Sequence, residues 1–331
     1  MSKKKSGFRL GIRVSFFAAT ALAVLSAAVR PAAAAWDDWS VAPWTDTFGD
    51  FTTKVGGQAY GTAFDVLDQP ASGFARADVT GAASITASIQ RDYDSGLTLA
   101  LKSSFEVYHD KLSGDNYGSD FVQKVYGSAQ TGLGRIDVGM TDGAAYALAV
   151  VGPEVNPEAT IDNPNATFFR DPSTGNAFIN VFTLNSAVES SLNYAKISYY
   201  TPKLFGVQIA LSFTPSEGKD VIPFVNNGFA GPNRQKSLWE GAVNYSDDFG
   251  PVTLTTYAGI TVGHGDRKTP GHAGLTDWGL GTQADWAIDD DTKLSVGGAY
   301  REANTYAFDI NDALLSGATR SAHASTMVTR G

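Results

Sequence analysis

Charged residues recur at one parity of several alternating segments of this 331-residue chain, and that placement decides what chemistry they could do. Lys102 and Glu106 share a parity in LTLALKSSFEVYH, and Arg135 and Asp137 do so in GRIDVGM. Lys124, Lys196, Glu240, Asp285, Lys293 and Arg301 take the corresponding positions elsewhere. Fixed charges of both signs along one face break no bonds. If the face encloses water, they orient dipolar solutes and bias which ions pass. Taken singly, each is equally well a solvated surface charge. Covalent catalysis has weaker support, because a nucleophile, a base and an orienting group must converge. His109, His264, His272 and His323 lie in or beside expected loops, with no GxSxG motif to accompany them. GHGDRKTPGH brings His264, Asp266 and His272 close in sequence, but the spacing matches no defined metal site. The chain is expected to be no enzyme and to need no metal or cofactor.

The elements that must position these charges read as strands. In SITASIQRDYDSGLTLALKSSFEVYHD, from Ser84 to Asp110, Leu99, Leu101, Phe105 and Val107 alternate with Thr98, Lys102, Glu106 and Tyr108. That is the period of a strand with two unlike faces. TTKVGGQAYGT alternates similarly, and five hairpins with short turns follow, through DSG, TGLG, TPKLFG, DDFGP and DDD. Eleven strands are clear, with a short additional one near Phe74 to Thr80. The opening WDDWSVAPWTDTFGD and the tail carry no readable strand pattern.

Connectors at the opposite end are longer: KLSGDNYGSD, the segment from Thr141 to Ser191, SEGKDVIPFVNNGFAGPNRQK and TVGHGDRKTPGHAGLT. Short turns at one end and long loops at the other predict an all-β, antiparallel up-and-down transmembrane barrel; a soluble sandwich would mix its loop lengths. Ile136, Val138 and Met140, and Val207, Ile209, Leu211 and Phe213, are expected to face lipid, the charged parity an aqueous lumen. Lipid tolerates this only if the sheet closes and pairs its backbone groups. Tyr199, Tyr200, Trp239, Tyr245, Trp278 and Trp286 fit interfacial girdles. A one-residue slip in register would send any of these side chains to the other face.

Lys3, Lys4, Lys5, Arg9 and Arg13 precede an apolar run from Val14 to Val29 and then PAAAAW, the order of an export signal cleaved between Ala35 and Trp36. The run is shorter than the ~20 residues a membrane anchor needs. The expected organisation is a signal peptide over 1–35 and one barrel domain over 36–331. Cleavage removes six of 25 basic and none of 34 acidic residues, taking the net charge from −9 to about −15. That excludes nucleic acid as a natural partner. Cysteine is absent, so disulfides do not hold the fold.

The segment from Thr141 to Ser191 is far longer than an ordinary connector and contains Pro153, Pro157, Pro164 and Pro172. It also carries AAYALAVVG and NAFINVFTL, which a freely solvated loop has little reason to hold. Folding into the barrel would bury these and bring Glu154, Glu158, Asp162 and Asp171 into the channel; an external lobe is the alternative.

TGLGRIDVGM at Thr131 to Met140, the long segment, and SSLNYAKISYYTPKLFGVQIALSF at Ser190 to Phe213 together resemble the Gram-negative general porins. There a glycine-rich turn leads to a strand, the third external loop follows, and a tyrosine-rich strand reaches a proline turn and a Phe-Gly pair. The resemblance implies a homotrimer of 16-stranded barrels in outer-membrane lipid and lipopolysaccharide, passing ions and small hydrophilic solutes passively through a constriction made by the third loop. It also implies that Glu154, Glu158, Asp162 and Asp171 face basic wall residues, matched here by Lys102, Lys124, Arg135 and Arg76. Two features depart from the family: GPEVNPEA places valine after Glu154 where glycine is usual, and SAHASTMVTRG lacks a terminal aromatic residue. The second leaves a fragment of a longer chain and a smaller barrel both open. A substrate-specific channel, a non-conducting structural barrel and a secreted all-β protein are the competing functional readings.

Overall fold

A computed structural model describes residues 42–65, 77–109, 122–153, 186–216, 235–265, 274–289, 292–304 and 318–330. Thirteen strands form one sheet in which each strand pairs antiparallel with its sequence neighbours. They are β1 (Trp44–Phe48), β2 (Phe51–Asp65), β3 (Ala77–Asp92), β4 (Thr98–His109), β5 (Val122–Thr131), β6 (Gly134–Met140), β7 (Ala195–Tyr200), β8 (Val207–Ser216), β9 (Gln235–Phe249), β10 (Val252–Gly265), β11 (Thr276–Asp289), β12 (Thr292–Asn304) and β13 (Ala318–Arg330). One short helix, α1 (Ala144–Ala147), follows β6. The expected signal over 1–35 lies outside the described residues, as do His272 and Asp266.

Odd-to-even connections are tight and even-to-odd ones long, so turns and loops segregate to opposite ends as expected. The β7–β8 connection closes more tightly than TPKLFG suggests. Leu204 and Val207 exchange backbone hydrogen bonds of 2.9 Å around Phe205 and Gly206. Both central residues have positive φ, 51° and 80°, as a two-residue type I′ hairpin requires. Glycine suits the second position doubly, since a Cβ there would come within 2.8 Å of the Tyr245 ring.

The eleven strands legible in the sequence correspond to β2 through β12. β1 emerges from the Trp- and Asp-rich opening and β13 from the tail. The residues near Phe74 to Thr80 form no separate strand: Ala77 to Thr80 begin β3, which runs unbroken to Asp92. Ser191 to Asn193 form a turn, so β7 starts only at Ala195.

The two faces are inverted relative to a soluble protein. On β8, Ala210, Ser212 and Thr214 are buried while Ile209 and Leu211 are exposed; on β9, Glu240, Asn244 and Ser246 are buried while Trp239 and Val243 are exposed. Water would penalise so much exposed apolar surface, whereas hydrocarbon does not, provided that lateral pairing satisfies the backbone. Crossing falls to the strands, as no helix among the described residues is long and apolar enough.

Two expected outward residues face in. Tyr200 is buried, because strand alternation places it opposite the exposed Tyr199. Met140 is fully buried where the alternation of β6 breaks: Gly139 has φ 137° and the chain then turns onto the polar face at Thr141, itself buried.

The inversion gives a direct expectation. Leu211→Arg, at the middle of an outward strand face, should destabilise the barrel by about 2–4 kcal/mol in reversible urea unfolding from lipid vesicles. Ser84→Arg, on the polar face opposite Glu106, should stay within about 1 kcal/mol of the parent.

Candidate channel interior

Cross-strand pairing carries inward positions from strand to strand. One continuous row runs Thr52, Gln90, Ala100, Ser128, Asp137, Ser198, Ser212, Glu240, Thr261, Asp277 and Ala303. A second runs Lys54, Ser88, Lys102, Tyr126, Gly139 and Lys196. The first holds three buried acids and the second three lysines, so charge is layered along the strands.

Each buried acid is satisfied. Asp137 accepts a 2.5 Å hydrogen bond from Ser128 Oγ and lies 3.1 Å from Arg135 Nε. The Arg135 guanidinium stacks 4.2 Å from the Tyr200 ring centroid. Glu240 accepts from Ser212 Oγ at 2.6 Å and Thr261 Oγ1 at 3.2 Å. Asp277 is held by both Arg301 Nε and Nη2 at 2.8 Å. Asp285 accepts from Gln283 Nε2 at 2.9 Å and lies 3.7 Å from Lys293 Nζ. Lys124 Nζ meets Asp142 Oδ2 at 2.7 Å, and Gln123 Nε2 meets Glu106 Oε2 at 2.7 Å. An unpaired charge at such depth would cost several kcal/mol, which is why partners of opposite sign or hydroxyl donors accompany each.

The described ends of the long segment explain why half of this face is dry. Leaving β6, the chain crosses the polar face strand by strand. The Ala144 amide donates to Ser212 Oγ on β8 at 3.0 Å, and Asn244 Nδ2 on β9 donates to the Leu148 carbonyl at 3.0 Å. Two glycines permit the approach. A Cβ on Gly143 would stand 1.8 Å from Glu240 Oε2, and one on Gly281 of β11 would stand 1.6 Å from the Val150 carbonyl oxygen. Ala144, Leu148, Ala149 and Val150 bury themselves with Tyr200, Ala210, Ala242 and Tyr257 of the wall. Thus most of AAYALAVVG, Tyr146 excepted, packs as an apolar core against the inner face of the sheet.

The other end, residues 186–194, returns over the same region. Val188 packs at Gly279, Ser190 donates to Asp277 at 2.5 Å, and Lys196 Nζ donates to Ser191 Oγ at 2.8 Å and to the Leu192 carbonyl.

The ten charges assigned by parity therefore divide. Asp137, Lys196, Glu240, Asp285 and Arg301 are buried and brace the wall. Lys102, Glu106, Lys124, Arg135 and Lys293 are partly exposed. Glu154, Glu158, Asp162, Asp171 and Arg76 lie outside the described residues. Lys54, Asp142, Ser190 and Asp277 were not singled out in the sequence. Parity in TTKVGGQAYGT and TDWGLGTQ would have found Lys54 and Asp277, whereas nothing local marks Ser190 or Asp142. His264 is exposed on β10, and among the described residues no histidine, cysteine or carboxylate group converges on a metal position.

An antiparallel meander with an apolar exterior, a charged interior and two described arms of a loop laid along that interior is consistent with a transmembrane barrel. Residues 18–328 match the sequence model of the Gram-negative porin family, and the chain belongs to that family. It is thus a multi-pass protein of the outer membrane with a non-catalytic, passive-diffusion role. No curated protein matches the chain. Similar solved structures include three. The first is the trimer form of OmpT of Vibrio cholerae, with 12% identity, 87% of this chain and 82% of that one covered, and a TM-score of 0.42. The second is the outer membrane channel DcaP of Acinetobacter baumannii, with 10% identity, 79% and 66% covered, and a TM-score of 0.44. The third is a mutant of the Rh. blastica porin, with 15% identity, 77% and 80% covered, and a TM-score of 0.39.

The glycine contacts are testable by unfolding. Gly281→Ala should lower stability by about 1–3 kcal/mol, because Val150 must leave the wall to admit the methyl group. Gly241→Ala, whose Cβ would meet only the Leu211 side chain at 3.5 Å, should change it by less than about 0.5 kcal/mol. Urea titration monitored by tryptophan fluorescence compares the two.

Proposed function

We propose that the chain, after loss of residues 1–35, forms a weakly cation-selective diffusion pore whose narrowest part lies between the segment 141–191 and the wall of β2 to β6. The observation that carries this reading is the seating of both described arms, 141–153 and 186–194, on the polar face. An external lobe would leave them beyond the strand ends. Glu154, Glu158, Asp162 and Asp171 fall in sequence between the two arms, which supports their assignment to the acidic side of the constriction. Lys102, Lys124, Arg135 and Arg76 form the basic side in this reading, with Lys54 added from the row shared with Lys102.

Lys124 and Arg135 already have acidic neighbours, Asp142 and Asp137, so the basic field of the wall is weaker than their count suggests. Acids placed where the path is narrow and poorly screened outweigh it, and a modest preference for cations results. The solutes are small and hydrophilic, and the mixed sign of the lining charges favours general diffusion over a substrate-specific channel. A 16-stranded barrel, assembly as a homotrimer and contact with lipopolysaccharide complete the proposal. They rest on the resemblance of the Thr131 to Phe213 region to general porins.

Zero-current reversal potential across a salt gradient at low ionic strength tests the field. Neutralising Glu154, Glu158, Asp162 and Asp171 together should lower the cation-to-anion permeability ratio, and neutralising Lys102, Lys124 and Arg135 should raise it. Lys124→Gln combined with Asp142→Asn removes a neutral pair and should leave the potential where it was. If neither charge set moves the potential and deletion of the residues between the arms leaves unit conductance unchanged, the constriction is elsewhere.

A further inference from the structure

We propose that Asp277 is a positioning residue of the pore: clamped by Arg301, it latches the returning arm 186–194 to β11 through Ser190 and so fixes how much of the channel that arm occupies. The inference rests on the pore reading above and assigns the residues that hold one side of the pore in place.

The latch is built from three side chains that are nearly or wholly buried. Arg301 on β12 grips both oxygens of Asp277 on β11, Nε to Oδ1 and Nη2 to Oδ2, each at 2.8 Å. This two-point geometry fixes the plane of the carboxylate as well as its charge. Ser190 Oγ then donates to Oδ2 at 2.5 Å. Arg301 makes a fully buried carboxylate tolerable and aims its remaining acceptor capacity at the arm. Arg301 itself is a residue of the wall, so the clamp belongs to the wall, and the serine is a contact that docking makes or breaks.

The polar attachments that the arm makes to residues close by in sequence do not do the same task. Lys196 binds Ser191 and the Leu192 carbonyl, yet it lies only four or five residues further along the same chain. Such an anchor holds the arm to the start of β7, from which the arm departs anyway. The backbone bonds Leu192 to Glu189 and Tyr194 to Ser191 are local turns. Asp277 stands four strands further round the wall and 87 positions away in sequence. That contact, the packing of Val188 at Gly279, the place of Ala187 in the apolar core and the charge of Glu189 near Arg301 together determine where the arm lies across the sheet. A hydrogen bond to a charged group can shift a docked-to-undocked ratio by roughly tenfold or more, so losing Ser190 alone is expected to be measurable.

The absence of cysteine from the chain provides a clean probe. Val188→Cys places one thiol at a fully buried position of the arm, and a water-soluble thiol reagent reacts with it only while the arm is away from the wall. In folded protein, verified by heat-modifiable gel mobility, adding Ser190→Ala should raise the labelling rate roughly tenfold. Ser190→Thr, which keeps the hydroxyl, should stay near the parent rate. Asp277→Asn should accelerate labelling as Ser190→Ala does, and the combined variant should add little to either. In planar bilayers the Ser190→Ala channel should show a larger or noisier unit current than the parent. Equal labelling rates in the parent, Ser190→Ala and Asp277→Asn backgrounds would overturn the latch. A parent that passes no current while its labelling still depends on Ser190 would instead overturn the pore reading and leave the latch standing.

Discussion

Hydrocarbon offers no hydrogen bonds, and from that single deficit the architecture follows. Each strand must find partners for its N–H and C=O groups sideways, so the chain is driven into a continuous antiparallel ladder. Lateral pairing in turn forces the two-residue period, which sends every second side chain outward into lipid and the others inward. The apolar residues go to the outside because there is no aqueous surface for them to avoid. What remains for the inside is polar by default, and a polar inside without bulk water has to be satisfied group by group.

That second requirement shapes the interior. Where the polar face is half-exposed, on β2 to β5, lysines, glutamines and hydroxyls stand with partial access to solvent. Where the arms lie, between β7 and β12, water is displaced, and the charges become a bracing network: Asp277 with Arg301, Glu240 with two hydroxyls. Burying an ion pair seldom stabilises a fold beyond what apolar residues could supply. Its use here is geometric, since a carboxylate with directed partners specifies one seat for arms that, among the described residues, have no strand or long helix of their own.

Alternation made β2 to β12 legible, because each contrasts an apolar with a polar parity over many residues. β1 lacks that contrast: all five residues of WTDTF are exposed. β13, ATRSAHASTMVTR, is mostly small and polar and offers no apolar parity to read. Parity also delivered the inward charges, but it could not say which of them meet water, because coverage comes from residues far away in sequence. Tyr200 was misread by treating two adjacent tyrosines as one interfacial pair. The contacts of Ser190 with Asp277 and of Gly143 with Glu240 had no local signal, being products of where the arms fall on a wall built from other strands.

The glycines where the outgoing arm meets the wall separate what can vary from what cannot. Positions 143 and 281 interlock backbone with wall at distances that exclude even one methyl group, so substitutions there are constrained jointly with the arm that covers them. The stretch between positions 153 and 186 carries no such obligation to these two contacts. A lineage can therefore lengthen, shorten or recharge that stretch while keeping both keyed arms. In this way the permeability of the envelope can diversify on an inherited scaffold without renegotiating how the barrel assembles.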